Sequence, residues 1–266
     1  MSRVRRPAVA GSFYPAEPVR LAAAVDGYLA AAAVDDSGPP PKAIVAPHAG
    51  YLYSGPVAGS AFAALAPRAA AIRRVLLLGP SHYVAFDGLA LARADAFRTP
   101  LGDLPVARGL DAELGGLPQL VVDDRPHERE HALEVELPFL QRLLPAAAAL
   151  ELVPIVVGAA STGEVAEVIE RLWGGDETAI VVSTDLSHYL DAAAARLRDE
   201  ATATAIEALA PERIDDLDAC GSRPLRGLLA AARARGLGVR RLDLRNSADT
   251  AGPADRVVGY GAFAFA

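Results

Sequence analysis

An α/β fold with a largely parallel or mixed central sheet, flanked by helices on both faces, is predicted from three features of this sequence. Short and almost continuously apolar runs recur along the chain. Longer stretches with apolar residues at three- and four-residue spacing separate them, and Gly, Pro, Asp or Ser mark most of the changes from one pattern to the other. A run that is apolar at every position fits a strand buried on both faces, which is the situation of a sheet covered by helices on each side.

Taken in order, residues 19–33 carry the first helical spacing and residues 36–41 read as a loop. A strand at 43–46 follows, then a helix at 56–65 with Pro56 at its start, and strands at 75–78 and 89–92. Residues 115–125 read as a loop, 131–144 as a helix and 152–157 as a strand. A helix at 162–172, a strand at 179–182 and helices at 192–209 and 222–235 come next, with Gly236 and Gly238 as stops for the last. Strands at 240–244 and 257–265 close the series. No internal repeat or low-complexity linker interrupts it, so residues 1–266 are expected to form one domain.

Composition narrows the function classes. With 266 residues, 52% of them hydrophobic and 22% charged, the chain is long enough to build a core without disulfides. The net charge of −7 and the lack of a dense Lys/Arg stripe argue against nucleic acid as a partner. A single cysteine leaves nothing that needs an oxidising compartment, and the opening MSRVRRPAVAGSFYP breaks its apolar stretch with Gly and Pro, unlike a signal peptide. The most apolar windows, 21–34 and 146–157, are interrupted by Asp26, Glu151 and Pro154 and are shorter than the roughly 20 residues a membrane helix needs. No membrane association is expected, and the location expected is cytoplasmic.

Three of the five histidines follow closely on expected buried strands: His48 in APHAGY, His82 in GPSHY and His188 in STDLSHY. Ligands of open α/β sheets bind in the crevice outside the carboxyl ends of the strands, so these three can converge there. Turn residues surround them, namely Pro47 and Gly50, Gly79 and Pro80, and Thr184 and Asp185. Strand-to-helix punctuation would explain those residues but not the imidazoles. Cys220, in DACGSRP, stands at the entrance to the helix at 222–235, where backbone N–H groups and the helix dipole can lower a thiol's pKa. Two imidazoles and one anionic ligand describe a single non-haem iron site with cysteine in place of the usual carboxylate, and thiolate also suits copper(I) or zinc.

The other two histidines, His127 and His131, satisfy the H-E-x-x-H spacing of zinc proteases. Pro126 and the charged run 127–130 read as a loop leading into EHALEVELPFLQ, so the two imidazoles are not expected on one continuous helix. His131 is expected to face the cleft or start the helix, and His127 to lie on the surface.

These residues sit in eight segments: RRPAVAGSFYP, VAPHAGYLYSGPVAG, LLLGPSHY, EHALEVELPFLQ, STDLSHY, ACGSRP, NSADTAG and VVGYGAFAF. In that order, and nearly end to end, the chain resembles the Memo family, whose bacterial and archaeal members are called AmmeMemoRadiSam system protein B. The family is similar in fold to the class III extradiol dioxygenases, which hold iron with two histidines and a glutamate and use a further histidine as acid or base. The resemblance implies that His48 and His82 match the two histidine ligands, Cys220 the third and anionic one, and His188 the acid/base histidine. Asp185, or another buried acceptor, is expected to orient the His188 ring. Ala132 stands where the family usually has serine, and Ala248 where it commonly has glycine, which leaves a role for Asp249 open.

Two function classes follow. One is a metal-dependent oxidoreductase acting with dioxygen, dioxygenase-like. The other is a non-catalytic protein that binds a metal or a peptide in the same cleft, as a partner of AMMECR-type and radical-SAM proteins. Tyr51, Tyr53, Tyr83 and Tyr189, together with His131, are candidates to line a substrate pocket or peptide groove, with ordinary core-edge packing as the alternative for the tyrosines.

Overall fold

The computed structural model describes residues 3–33, 38–144 and 150–266. Positions 34–37 and 145–149, which include the start of the loop expected at 36–41 and most of the apolar lead-in at 146–149, lie outside the described residues. The elements run β1 (Val4–Arg5), α1 (Pro18–Ala31), β2 (Ala43–Ala46), α2 (Tyr51–Ala63), β3 (Arg74–Pro80), β4 (Leu89–Leu91), β5 (Ala96–Thr99) and β6 (Gly102–Pro105). They continue through α3 (Asp111–Leu114), β7 (Leu120–Val122), α4 (Arg125–Glu128), α5 (Leu137–Leu143), β8 (Glu151–Val157), α6 (Thr162–Arg171) and β9 (Thr178–Ser183). The last are β10 (His188–Leu190), α7 (Ala192–Glu207), α8 (Ser222–Ala234), β11 (Val239–Asn246) and β12 (Val257–Phe265).

A parallel spine of β2, β9, β3 and β8 forms the middle of the main sheet. Antiparallel strands extend it on both sides, with β12 on β2 and β4 on β8, so the whole sheet is mixed. β10 and β11 pair with β12, and β7 pairs with β4 at the far edge. A separate three-stranded sheet joins β1, β5 and β6.

Alternate residues of the spine enter two different cores. Ile44, Ala46, Val75, Leu77, Ala179 and Val181 pack with Leu21 and Val25 of α1, Val57 and Phe62 of α2, and Phe139 of α5. Their neighbours Val45, Leu76, Leu78, Ile180 and Val182 pack with Val165 and Ile169 of α6, Ile206 of α7 and Leu225 and Leu228 of α8. Both faces are therefore dry, which is why these strands read as unbroken apolar runs. α1 and α2 approach closely at Gly59, where a Cβ would stand 2.6 Å from the Tyr28 carbonyl oxygen.

The differences from expectation have local causes. α2 starts at Tyr51, not Pro56, so that Pro56 stands inside the helix and one backbone hydrogen bond is given up there. Residues 131–144 divide into a turn, a 3-10 segment at Glu134–Glu136 and the short helix α5, with Pro138 in its first turn. Glu134 opens the 3-10 segment. Its buried carboxylate accepts from the Ala8 and Val9 N–H groups at 2.7 and 3.0 Å and from the Tyr14 hydroxyl, and it pairs with Arg5, anchoring the N-terminal segment. β7 falls inside the loop expected at 115–125; it has three residues, two of them exposed at the sheet edge. Among the described residues no helix is long and apolar enough to cross a membrane.

Candidate metal centre

β2, β3 and β9 all end on the same side of the sheet, and each delivers a polar group there. His48 follows β2 by two residues, and its N–H donates to Asp185 Oδ1 at 2.8 Å, which ties the β2 loop to the loop after β9. The His48 ring is buried, with Nδ1 2.7 Å from Ser183 Oγ. Ser183 Oγ is also 2.7 Å from the Ala132 carbonyl and 2.8 Å from Glu136 Oε1. One hydroxyl carries one proton, and the carbonyl can only accept it. Burial, chiefly, pushes the Glu136 carboxyl well above the usual range, which favours the protonated form able to donate to Ser183. The remaining lone pair of Ser183 then accepts from His48 Nδ1–H, and His48 Nε2 is left with its lone pair open.

His82, two residues past β3, is held by one carboxylate. Its N–H donates to Glu130 Oε2 at 2.7 Å and its Nδ1–H to Oε1 at 2.8 Å. Burial by itself would raise the Glu130 pKa, but the His82 bonds and charge outweigh it and hold the acid below its ordinary value. An ionised carboxylate on Nδ1 leaves Nε2 as the nitrogen that could ligate. The rings of His131 and His82 stack at 4.6 Å, and burial first, then His82, pushes His131 down to about 4.

Cys220, two residues before α8, completes the group. Its Sγ lies 3.3 Å from His48 Nε2, and one ligand atom from each of His48, His82 and Cys220 falls within 4.8 Å of the others. About 3.5 Å separates N and S donors of a tetrahedral site with bonds of about 2.0 and 2.3 Å, so the spacing and the donor set fit a single transition-metal ion. The expected lowering of the thiol by α8 is not what the surroundings produce. Burial, and then the nearby Asp185 carboxylate, push Cys220 up to about 12, so a cation is what would take its proton away. His82, Glu130 and His131 form a second close group, but both Glu130 oxygens are already used by His82, and Ala132 N–H donates to Oε1 as well.

Residues 5–264 match the family model described as Memo-like protein. The chain belongs to the Memo family. It is 35% identical to a MEMO1 family protein of Aquifex aeolicus (strain VF5) over 271 residues, covering 97% of each chain. A MEMO1 family protein of Sulfolobus acidocaldarius is 33% identical over 280 residues, again covering 97% of each. Protein MEMO1 of Xenopus laevis is 36% identical over 187 residues, which are 68% of this chain and 61% of that one.

In this Memo-family chain His188 lies beside the group, close enough for its charge to bear on His48 and for that of His82 to bear on it. Its Nδ1–H donates to the Leu186 carbonyl at 2.8 Å, and burial is the main reason its pKa is lowered. Asp185 was expected to orient this ring and does not touch it: its Oδ1 is taken by the His48 N–H, and burial raises it to about 7. Tyr51 is likewise not at the cleft. It is buried among Tyr14, Tyr28 and Phe139, and its hydroxyl donates to the Val135 carbonyl at 2.7 Å. Tyr53, Tyr83 and Tyr189 are exposed; the Tyr83 ring packs against His131 and the Tyr189 ring against His188.

His127, expected on the surface, is buried and starts no continuous helix with His131. It lies in α4, its Nε2–H donates to the Ala90 carbonyl at 3.0 Å, and burial pushes it down to about 4. Asp249 caps its own turn through the Asn246 N–H at 2.9 Å and pairs with Arg196 at 2.5 Å, a structural place for the residue left open above. Glu130, Ser183 and Glu136 are the supporting residues that motif reading did not single out. A carboxylate inside a charged run, a serine ending a strand and an acid in an apolar helix carry no local mark of what they will meet.

Proposed function

We propose that this chain is a metal-dependent oxidoreductase acting with dioxygen, with one ion, iron favoured over copper or zinc, held by His48 Nε2, His82 Nε2 and Cys220 Sγ. The observation that supports the reading is that both candidate histidine ligands have Nδ1 against a polar partner, which leaves Nε2 to each, and that ligand atoms of His48, His82 and Cys220 fall within 4.8 Å of one another. When bound, the ion supplies Lewis acidity and redox chemistry. The protein's own groups do the rest. His188, with Nδ1–H fixed on Leu186 and a lowered pKa, is neutral near pH 7 and offers Nε2 to take a proton from a substrate hydroxyl or thiol. A cavity of about 610 Å³, with Cys220 in its wall and Phe86, Val157, Pro224 and Arg223 around it, is large enough for a small organic substrate.

A second reading is supported by exposed Leu52, Tyr53, Tyr83 and Tyr189, which favour a peptide groove on a non-catalytic protein, with AMMECR-type and radical-SAM proteins as partners. One free cysteine and no disulfide suit a reducing, cytoplasmic setting under either reading. Oxygen uptake separates them. The iron-loaded protein should consume dioxygen with a catechol or a thiol, and His188→Ala should slow this roughly 10²–10⁴-fold with metal content unchanged. No uptake over a broad substrate panel, with partner capture lost on Tyr53→Ala, supports the second reading.

A further inference from the structure

A buried carboxylate stands behind His188 at one remove. Asp199, on α7, is buried, and its Oδ1 accepts from the Ser187 N–H at 2.9 Å. The carbonyl of that same peptide unit, Leu186 C=O, accepts from His188 Nδ1–H at 2.8 Å. The peptide is planar and polarisable, so a negative charge on its N–H side strengthens the acceptor on its C=O side. β12 holds the peptides on either side of this unit: Leu186 N–H donates to Gly259 C=O and Gly259 N–H to Ser187 C=O, both at 2.8 Å. A Cβ on residue 259 would stand 2.0 Å from Asp199 Oδ2, so only glycine lets the carboxylate reach its place. Directly beyond, Tyr189 has φ +63°, an uncommon conformation for a non-glycine residue, beside an irregularity in the β10–β12 pairing.

We propose that Asp199 is a positioning residue for His188, acting through the Leu186–Ser187 peptide to hold the imidazole in the Nδ1–H form with Nε2 facing the cleft. The role has the logic of an aspartate bonded to a catalytic histidine, with a peptide group interposed. It rests on the acid/base reading of His188 for its catalytic meaning, but the tautomer can be measured without turnover.

The test is nitrogen NMR of the full chain labelled at its histidines and loaded with zinc as a diamagnetic probe, at a pH where His188 is neutral. Wild type should show His188 in the Nδ1–H form. Asp199→Ala should lower the ratio of that form to the Nε2–H form by up to about twofold, since His188 keeps its bond to Leu186 and loses only the cooperative strengthening, about 10–30% of a hydrogen bond of ordinary strength. His127, which donates from Nε2, is the internal reference for an intact fold, and zinc content reports separately on the metal centre. If Asp199→Ala does not fold, Asp199→Asn keeps an acceptor in the same volume; the Ser187 amide proton should move upfield and His188 Nδ1 should respond with it. An unchanged His188 tautomer in a folded Asp199→Ala protein overturns the proposal, as does a Ser187 shift in Asp199→Asn with no response at His188. Retained tautomer control with no effect of His188→Ala on oxygen uptake would remove the catalytic reading alone.

Discussion

Glu130 receives both hydrogens that His82 offers on one side, the main-chain N–H on Oε2 at 2.7 Å and the ring Nδ1–H on Oε1 at 2.8 Å. The carboxylate therefore fixes the backbone, the ring plane and the tautomer of His82 together. Carboxylates behind ligating histidines contribute about 10–100-fold to metal affinity, so Glu130→Gln should weaken zinc or iron binding by that factor, read by competition with a chromophoric chelator. Unchanged affinity would mean that His82 does not ligate through Nε2.

Glu134 is expected to matter for folding and not for chemistry. It neutralises buried Arg5 and takes the Ala8 and Val9 N–H groups and the Tyr14 hydroxyl. Glu134→Ala strands a buried guanidinium and should cost about 3–5 kcal/mol in urea unfolding of the metal-free protein. A loss below about 1 kcal/mol, the scale of an exposed pair, would contradict that placement.

Acid should destabilise the fold in part through His127. Burial takes its pKa from 6.5 down to about 4, so the folded state is the one that refuses the proton. Above pH 6.5 both states are neutral and stability is complete. As pH falls below 6.5 the unfolded chain gains a proton first, stability is lost, and the loss levels off below about 4. Between pH 7.5 and 4.5 this single group should remove about 2–3 kcal/mol. His127→Gln, which keeps an N–H for Ala90, should lose that much less over the same interval; an equal loss in both proteins would refute the assignment.

The strands of the spine were legible because burial on both faces makes nearly every residue apolar: 43–46 coincides with β2 and 179–182 falls within β9. β1, β5 and β6 were not, because two to four residues with Arg, Asp or Pro among them become strands only by pairing with a partner, and β7, though apolar, is only three residues long at the sheet edge. The two candidate histidine ligands could be placed at strand ends, where the fold class brings them to one crevice, and Cys220 at the start of a helix. Their supports could not. Glu130 is 48 residues from His82 and Glu136 47 from Ser183, and neither contact has a local signature. Asp185 shows the opposite failure: adjacency to the His188 turn suggested a bond to that ring, whereas the loop turns its carboxylate toward His48.

The most direct measurement is metal analysis of protein purified without air, for wild type and Cys220→Ala. Wild type should hold close to one transition-metal ion per chain, and loading the metal-free protein should release the Cys220 proton, since the thiol stands at about 12 before a cation arrives. Cys220→Ala should lose most of that metal while keeping its fold. Metal-free wild type that cannot be loaded, or full occupancy in Cys220→Ala, would contradict a centre built on His48, His82 and Cys220.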